Sequence, residues 1–252
     1  MNDTVFPAPP SSPYHMISSL AVITGVGRAG QAGETIARAF CEAGSAVALL
    51  DVSEEQVNAR AAELRADGFT ATAHAGDLSD ADTAERLARE VLEAHPGANG
   101  RVHALVNAAG GFGLTGALDT SDPAGWRRQF TISTDTAYAA TRAFLPALRA
   151  ARGSVVYFAS ASALPGGSTG GIAAYAAAKS AVIALMQSVA EAEADHGVRA
   201  NAVAPTAIRT ALNLGSMGDR NRYVERESVA DVVLFLCSHA ARNVTGQVLR
   251  LA

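Results

Sequence analysis

Tyr175 and Lys179 lie four residues apart in residues 172–196, a segment rich in Ala that contains no Gly or Pro. Such a segment predicts a helix, and side chains four apart share one face of it. A free Tyr titrates near pH ~10, but an ammonium group about 4 Å away, at an effective dielectric of about 20, favours the phenolate by about 4 kcal/mol. That corresponds to about 3 pKa units, so the pair predicts a Tyr that exchanges protons near neutral pH.

Lys179 is the only lysine in the sequence, and the other nineteen of the twenty Lys and Arg residues are Arg. Tyr and Lys four apart on a helix are often no more than a packed ring beside a solvated charge. In a chain so biased towards Arg, a lysine at this position favours a role that needs a compact ammonium group, because a guanidinium group cannot replace it.

Composition limits the classes of protein to consider. The 252 residues are 49% apolar, enough for one large domain, and the net charge of −4 without a basic block argues against a nucleic-acid partner. The apolar runs are shorter than a membrane span, and no secretion signal opens the chain, so we expect a cytoplasmic protein.

The Pro-rich residues 1–16 predict a flexible tail, and residues 17–252 one domain. We expect Cys41 and Cys237, far apart in the sequence, to be buried, reduced thiols without a metal.

A dinucleotide-binding unit is predicted at the start of this domain. Residues 19–24 are a short apolar run typical of a buried strand, a glycine-rich loop follows, residues 34–43 predict a helix, and residues 46–50 predict the next strand. The loop glycines are Gly25, Gly27, Gly30 and Gly33. Without side chains they allow a pyrophosphate group to approach the helix N-terminus.

The preferred cofactor is predicted from two charged residues. Asp51 ends the second strand about 20 residues after the loop, where a carboxylate can accept hydrogen bonds from the adenosine ribose and would repel a 2′-phosphate. This favours NAD over NADP. Arg28, inside the loop, could instead pair with a 2′-phosphate, or it could be a solvated loop cation.

Two further strand ends carry candidate binding residues. Asp77 and Leu78 follow the strand predicted at residues 70–75, and Asp77 could accept a hydrogen bond from adenine or cap the helix that begins near Asp80. Residues 102–106 predict a strand followed by small residues, at which a ligand could lie directly above the strand end: Asn107, Ala108 and Gly110.

In the rest of the chain, predicted helices again alternate with predicted strands. Further helices are predicted at residues 54–66, 81–94, 126–150 and 228–238, and further strands at 153–159, 198–203 and 248–251. The pattern predicts an α/β fold, a doubly wound Rossmann-like domain with a seven-stranded parallel sheet and helices on both faces. Pro146 is expected to kink or end its helix, and residues 211–226 to form a short polar connection.

In these motifs, in their order and spacing, the chain resembles the short-chain dehydrogenase/reductase family from residue 19 to residue 251. The resemblance adds the segments 153–160, 199–205 and 245–247 to those above. It implies that Ser160, Tyr175 and Lys179 are catalytic. It implies as well that Tyr175 and Lys179 bind the cofactor, Lys179 through a hydrogen bond to the nicotinamide ribose. It also implies that the nicotinamide is held by Pro205, Ile208 and Thr210, although Thr210 could be an ordinary helix cap.

Three positions complicate the resemblance. Ser133 stands where the family carries an Asn that helps to hold a water, and Thr206 stands where Gly is usual. Strand register makes Ser160 the catalytic serine, whereas the interval back from Tyr175 gives Ser162. We prefer Ser160, because a Gly-rich loop at residues 165–171 that is two residues longer would account for the difference.

Together these features predict an NAD(H)-dependent oxidoreductase that interconverts a secondary alcohol and a ketone and assembles as a homodimer or homotetramer through helices 126–150 and 173–196. The alternative is a catalytically silent NAD-binding sensor or scaffold of the same fold. A nucleotide-sugar epimerase is a third class, but it would need a larger C-terminal domain than this chain has room for. The sequence contains no signature of the small-molecule substrate.

Overall fold

Seven parallel strands form one sheet within residues 14–252, the part of the chain that a computed structural model describes. The strands are β1 Leu20–Thr24, β2 Ala46–Asp51, β3 Ala71–Ala75, β4 Ala104–Asn107, β5 Ser154–Phe158, β6 Arg199–Pro205 and β7 Val248–Leu251. Their order is β3-β2-β1-β4-β5-β6-β7, so the chain builds outward from β1, crosses to β4 and builds outward on the other side. The predicted doubly wound α/β fold is confirmed.

The strands are apolar because both faces of the sheet are covered. All five residues of β1 are buried. Leu20 and Val22 pack into the hydrophobic cluster on one face, and Ala21 and Ile23 pack into the cluster on the other. Successive side chains of a strand point to opposite faces, and a parallel sheet covered on both faces therefore needs a continuous apolar run.

Helices supply the two outer layers. They are α1 Ala32–Glu42, α2 Glu54–Ala66, α3 Ala81–Ala94, α4 Pro123–Phe130, α5 Thr136–Ala151, α6 Ala173–Ala192, α7 Ala211–Met217 and α8 Arg226–Cys237. On one face α1, α2 and α8 contribute buried side chains such as Phe40, Val57 and Val233. On the other face α3, α5 and α6 contribute Phe144, Met186 and similar residues.

The helix predicted at residues 126–150 is interrupted by a wider turn. A π-helical turn, Thr131–Asp135, lies between α4 and α5. The helix begins earlier than predicted because Asp122 caps it, accepting hydrogen bonds from the N–H groups of Ala124 and Gly125, both at 3.0 Å. Pro146 lies inside α5, which continues to Ala151, so the helix does not end at the proline.

The connection predicted at residues 211–226 is not wholly irregular. It contains α7, and α8 begins two residues before its predicted start, at Arg226. An isolated parallel bridge between Ile208 and Val224 joins the two ends of this excursion. The bridge therefore holds together the beginning and the end of this segment, which we call the excursion after β6.

Most of the predicted N-terminal tail, residues 1–13, lies outside the described residues. Residues 14–16 contact the domain: the ring centroids of Tyr14 and Phe235 are 5.8 Å apart. Met16 is buried, and its N–H donates to the carbonyl oxygen of Ala43 at 2.9 Å. The domain therefore includes residues 14–16 as well as those from 17 onward.

Helix α6 is the one helix within residues 14–252 that is long and apolar enough to cross a membrane. Its apolar side chains have another explanation, because Val182 and Met186 are buried in the cluster that covers the sheet. A core helix passes the same compositional test, so we treat α6 as part of the core.

Cys41 and Cys237 are both free and buried, as predicted. Burial raises the pKa of each thiol to about 12, although Arg38 beside Cys41 and Arg199 beside Cys237 oppose the rise. Both groups are therefore neutral, unreactive thiols that serve packing.

A buried polar chain joins β3 to the end of α3. The hydroxyl of Thr72 is 2.8 Å from Nε2 of His95 and 2.9 Å from Nε2 of His74. Burial lowers the pKa of both imidazoles; for His74 the nearby Glu90 opposes this shift and His95 adds to it. The fold therefore holds both rings in their neutral form.

We expect these two histidines to make the fold sensitive to acid. Because their pKa values are lowered in the folded chain, their contribution to stability is complete above the ordinary His pKa, near 6.5, and is lost as the pH falls through the lowered values. The free energy of unfolding, measured with urea between pH 8 and pH 5, should fall less in a His74→Gln, His95→Gln double variant than in the wild type. His239→Gln, at an exposed position, is the control and should follow the wild type. Identical pH dependence in the double variant and the wild type would contradict this assignment.

Candidate active site

The predicted site residues meet at the carboxyl edge of the sheet. Thr24 at the end of β1 is in register with Leu50 on one side and Asn107 on the other. Strands β1 and β4 are also where the chain reverses its direction of building. In open α/β sheets, ligands bind at the carboxyl ends of strands beside such a reversal.

The glycine loop packs against the loop after β4. Gly25 has φ +76°, and a Cβ atom on it would lie 2.8 Å from the backbone of Ala109. The hydroxyl of Thr24 accepts a hydrogen bond from the N–H of Ala109 at 3.0 Å. A Cβ atom on Gly33 would lie 2.5 Å from the carbonyl oxygen of Gly25. These glycines are therefore required for the loop to close on itself and on its neighbour.

Asp51 lies beside this loop, as its predicted role requires. A Cβ atom on Gly27 would be 2.6 to 2.8 Å from the carboxylate of Asp51. The same carboxylate accepts a hydrogen bond from the N–H of Ser53 at 3.0 Å, which holds its orientation. Arg28 is exposed on the loop.

Gly30 connects the glycine loop to the excursion after β6. Its N–H donates to the carboxylate of Glu34 at 2.5 Å, and its carbonyl oxygen accepts from the N–H of Ala211 at 3.0 Å. A guanidinium nitrogen of Arg226 lies 3.9 Å from the Cβ position of Gly30. Sequence reasoning missed Glu34 and Arg226, because neither belongs to a recognisable motif.

Asp77 and Leu78 differ in their surroundings. Asp77 is exposed, and its carboxylate accepts hydrogen bonds from the N–H and hydroxyl of Ser79. The capping alternative for Asp77 is wrong, because the cap of α3 is Asp80, which accepts from the N–H of Thr83 at 3.1 Å. Leu78 is buried in the core.

Asn107 anchors the end of β4. Its amide nitrogen donates to the hydroxyl of Thr141 at 3.0 Å, and that hydroxyl is 2.9 Å from the hydroxyl of Tyr157. Burial raises the pKa of Tyr157, although its hydrogen bond to Thr141 opposes the rise. Ala108 and Gly110 follow, and a Cβ atom on Gly110 would lie 3.4 Å from Nζ of Lys179. The network therefore fixes a small-residue loop directly beside the lysine.

Lys179 is buried at the centre of this region. Its ammonium group donates to the carbonyl oxygen of Phe158 at 2.7 Å and lies 6.0 Å from the centroid of the Tyr175 ring. Burial lowers the pKa of Lys179 to about 8. The amino group of Lys179 therefore gains or loses its proton close to neutral pH.

The expected fall in the Tyr175 pKa is wrong for the chain alone. Burial raises the pKa of this phenol, and a hydrogen bond with Ser160 offsets part of the rise. The expectation placed a charged ammonium group about 4 Å from the phenol, at an effective dielectric of about 20. Instead Lys179 is turned towards Phe158, and burial of both groups disfavours their charged forms.

Ser160 is the serine that meets Tyr175. Its hydroxyl is hydrogen-bonded to Tyr175, and it lies 2.9 Å from the hydroxyl of Ser162. The N–H of Ser162 also donates to Ser160, at 3.3 Å. Ser162 is therefore bonded to Ser160, and the assignment of Ser160 as the catalytic serine stays a prediction.

Ser133 lies in the π-helical turn close to the lysine. It is 1% exposed, and its hydroxyl has no hydrogen-bond partner within residues 14–252. It is 3.7 Å from the Cβ position of Gly110, the same position that lies 3.4 Å from Nζ of Lys179. The count along the helix thus identified a residue that reaches the lysine end of the site.

The segment after β6 contains Thr210 at the start of a helix. Its hydroxyl caps α7 by accepting a hydrogen bond from the N–H of Asn213 at 3.2 Å, so the capping alternative is confirmed. The carbonyl oxygen of Ile208 accepts from the amide of Asn213 at 2.8 Å. Pro205 is buried at the end of β6, and Thr206 next to it is exposed. Hydrogen bonds from Asn213 therefore hold the backbone of residues 208–210 in place at the edge of the sheet.

Comparisons with known proteins find similar sequences over most of the chain. A family model described as enoyl-(acyl carrier protein) reductase matches residues 25–251. A galactitol 2-dehydrogenase from Rhizobium johnstonii is 32% identical, over 94% of this chain and 95% of that protein. A meso-2,3-butanediol dehydrogenase from Serratia marcescens is 34% identical, over 91% of both.

The fold is also similar to that of a solved structure. A dehydrogenase from Beutenbergia cavernae, crystallised with NADP at low occupancy, superposes with a TM-score of 0.82 and 31% sequence identity. The match covers 94% of this chain and 96% of the other. Fold and sequence therefore point to the same group of proteins over almost the whole length.

The single lysine makes its titration directly measurable. In protein labelled with ¹³C-lysine, we expect one side-chain resonance with a midpoint at about pH 8 in the folded chain, because burial disfavours the charged form. Unfolded in urea, the same resonance should titrate near its ordinary value, about 10.4. Lys179→Arg removes the signal and confirms its assignment. A midpoint of about 10 or above in the folded chain would contradict the burial of this ammonium group.

Proposed function

This chain belongs to the short-chain dehydrogenase/reductase family, and from that premise we propose that it interconverts a secondary alcohol and a ketone with NAD(H) as its preferred cofactor. The observation that carries the proposal is the meeting of Ser160, Tyr175 and Lys179 at the carboxyl edge of the sheet. The relatives from Rhizobium johnstonii and Serratia marcescens support it, since galactitol and 2,3-butanediol are oxidised at secondary alcohols.

The residues present fit a dinucleotide. The glycine loop has no room for Cβ atoms at Gly25, Gly27 or Gly33, so only backbone faces a bound pyrophosphate there. The Asp51 carboxylate beside Gly27 would accept hydrogen bonds from the ribose of the adenosine half. Leu78 and the small residues after β4 would border the rest of the cofactor, and Ile208 and Thr210 would meet the nicotinamide end.

A bound nicotinamide cofactor supplies or accepts the hydride. The phenol of Tyr175 donates a proton to the substrate oxygen during ketone reduction and takes one from the alcohol during oxidation. Ser160, already bonded to this phenol, orients the substrate oxygen beside it. The Lys179 ammonium group stabilises the phenolate that remains after proton donation.

The raised pKa of Tyr175 suits this cycle. In the chain alone the phenol is held protonated by burial, which keeps the acid form ready for ketone reduction. In the oxidation direction the phenolate is needed, and Lys179 must then be charged. Because the lysine pKa is about 8, we propose that the protonation of Lys179 governs how easily Tyr175 changes its state.

The burial of Lys179 argues against a silent sensor or scaffold. Placing an ammonium group in the interior disfavours its charged form, as its lowered pKa reflects. A protein that only binds a nucleotide could use this group to hold the cofactor, but it does not need a phenol buried beside it. An enzyme gains a proton-exchanging pair.

The proposal also covers how the protein assembles and where in the cell it works. Trp126 on α4 and Tyr138 on α5 are exposed aromatic side chains on the helices expected to form the contact between subunits. Exposed aromatic residues are enriched at such interfaces. We therefore propose a homodimer or homotetramer built on these helices, in the cytoplasm.

Replacing the phenol tests the mechanism. Tyr175→Phe should reduce kcat at least about a hundredfold, because general acid–base catalysis is lost. Affinity for the cofactor, measured by calorimetric titration, should remain within a few-fold of the wild type. Tyr138→Phe removes a hydroxyl from an exposed tyrosine and should retain full activity. Retained turnover in Tyr175→Phe would reject the assigned role.

The cofactor preference is tested at Asp51. Wild-type protein should bind NADH more tightly than NADPH, and Asp51→Ala should weaken NADH binding by about tenfold through lost charge-assisted hydrogen bonds. NADPH binding should stay equal or improve, since the repulsion of a 2′-phosphate is removed. Arg28→Ala is the opposing variant. Tighter NADPH binding by the wild type, lost in Arg28→Ala, would show that the arginine decides instead.

A further inference from the structure

Exposed apolar side chains border the candidate active site on two segments. Nine large hydrophobic side chains are exposed within residues 14–252, and five of them lie on the loop after β4 or on α7. They are Phe112, Leu114, Leu118, Leu212 and Met217. Such side chains interact unfavourably with water, and one that contacts a reacting group indicates a surface that an apolar ligand covers.

Phe112 makes the direct link to the reacting groups. Its ring packs edge-on against the ring of Tyr175, with centroids 5.1 Å apart and an angle of 73° between the planes. The side chain is nevertheless 60% exposed, so only part of the ring is covered by the protein. The remaining ring surface lies next to the phenol that exchanges the substrate proton.

The loop that carries Phe112 is anchored on both sides of the ring. Gly110 lies against Lys179, and a Cβ atom on Gly113 would lie 2.4 Å from the side-chain nitrogen of the buried Gln129. Farther along, the N–H groups of Thr115 and Gly116 both donate to the carbonyl oxygen of Gly171, at 2.9 and 3.1 Å. These contacts hold the backbone in place, so Phe112 presents its ring from a defined position.

The two loops next to Tyr175 offer few groups for substrate hydroxyls. Residues 108–118 and 161–173 contain no charged residue, no His, and no Asn or Gln. Their hydrogen-bonding side chains are Thr115, Ser162, Ser168 and Thr169. The hydroxyl of Ser162 is already bonded to Ser160. A polyhydroxylated substrate needs fixed polar partners for its hydroxyls, because hydroxyls that enter a site unpaired weaken binding.

We infer that the substrate is a secondary alcohol, or the matching ketone, that bears an aryl or bulky alkyl substituent packed against Phe112, and that Phe112 selects it against polyols. The inference rests on the proposed function and narrows its substrate class. In oxidation the alcohol transfers its carbinol hydrogen as hydride to the oxidised dinucleotide and its hydroxyl proton to Tyr175, which yields the ketone.

The wild-type protein tests the substrate class first. Oxidation of 1-phenylethanol, 2-octanol, galactitol and meso-2,3-butanediol is followed at the absorbance of the reduced nicotinamide, with NAD⁺ and with NADP⁺ separately. We expect kcat/KM for the two apolar alcohols to exceed that for both polyhydroxylated ones by about tenfold or more. A preference for galactitol or butanediol overturns the inference and leaves the proposed function intact. No turnover of these alcohols, or of acetophenone and 2-octanone with the reduced cofactors, overturns both.

Variants of the aromatic residue test its role. Phe112→Ala should raise KM for 1-phenylethanol by about tenfold, as expected for a lost apolar contact, and should leave KM for butanediol unchanged. Phe112→Leu should recover much of the loss. Ile17→Ala, at an exposed apolar position beside Gly44, is the control and should behave as the wild type. Cofactor affinity confirms that each variant is folded. An equal change in KM for both alcohols would overturn the assignment of Phe112.

Discussion

The ammonium group of Lys179 lies inside the protein, with its Nζ atom 2.7 Å from the carbonyl oxygen of Phe158. Much of the site is arranged around this buried group. The loop after β4 carries a glycine at position 110, where φ is +153° and a Cβ atom would lie 3.4 Å from the ammonium group. The hydroxyl of Ser133 reaches the same place from the π-helical turn. The burial of Lys179 also weakens its effect on the pKa of Tyr175, because burial disfavours the charged form of both groups.

The sheet explains how residues so distant in sequence reach one place. Parallel strands end at the same edge, and the chain reverses its direction of building between β1 and β4, where open α/β sheets bind ligands. The glycine loop after β1, the small residues after β4 and Ser160 after β5 lie at this edge as direct continuations of strands. Each is positioned by the rigid core below, which is why short side chains suffice.

The substrate side of the site depends on loops rather than strands. The loops after β4 and before α6 are joined through the carbonyl oxygen of Gly171, and α7 touches the glycine loop at Gly30. The regions proposed for cofactor and substrate therefore share a boundary built from backbone contacts. The side chains along it, above all Phe112, can differ without disturbing the core, and we propose that specificity resides there.

The sequence by itself determined the α/β fold, the glycine loop with Asp51, and the pair of Tyr175 and Lys179, because each is written in local periodicity or fixed spacing. It also located Ser133 and preferred Ser160 by counting along predicted elements. Only the tertiary structure decided that the Tyr175 pKa rises, that Asp80 rather than Asp77 caps α3, and that Phe112 meets Tyr175. Burial, capping geometry and ring contacts depend on groups brought together from distant parts of the chain, and no local pattern encodes how they meet.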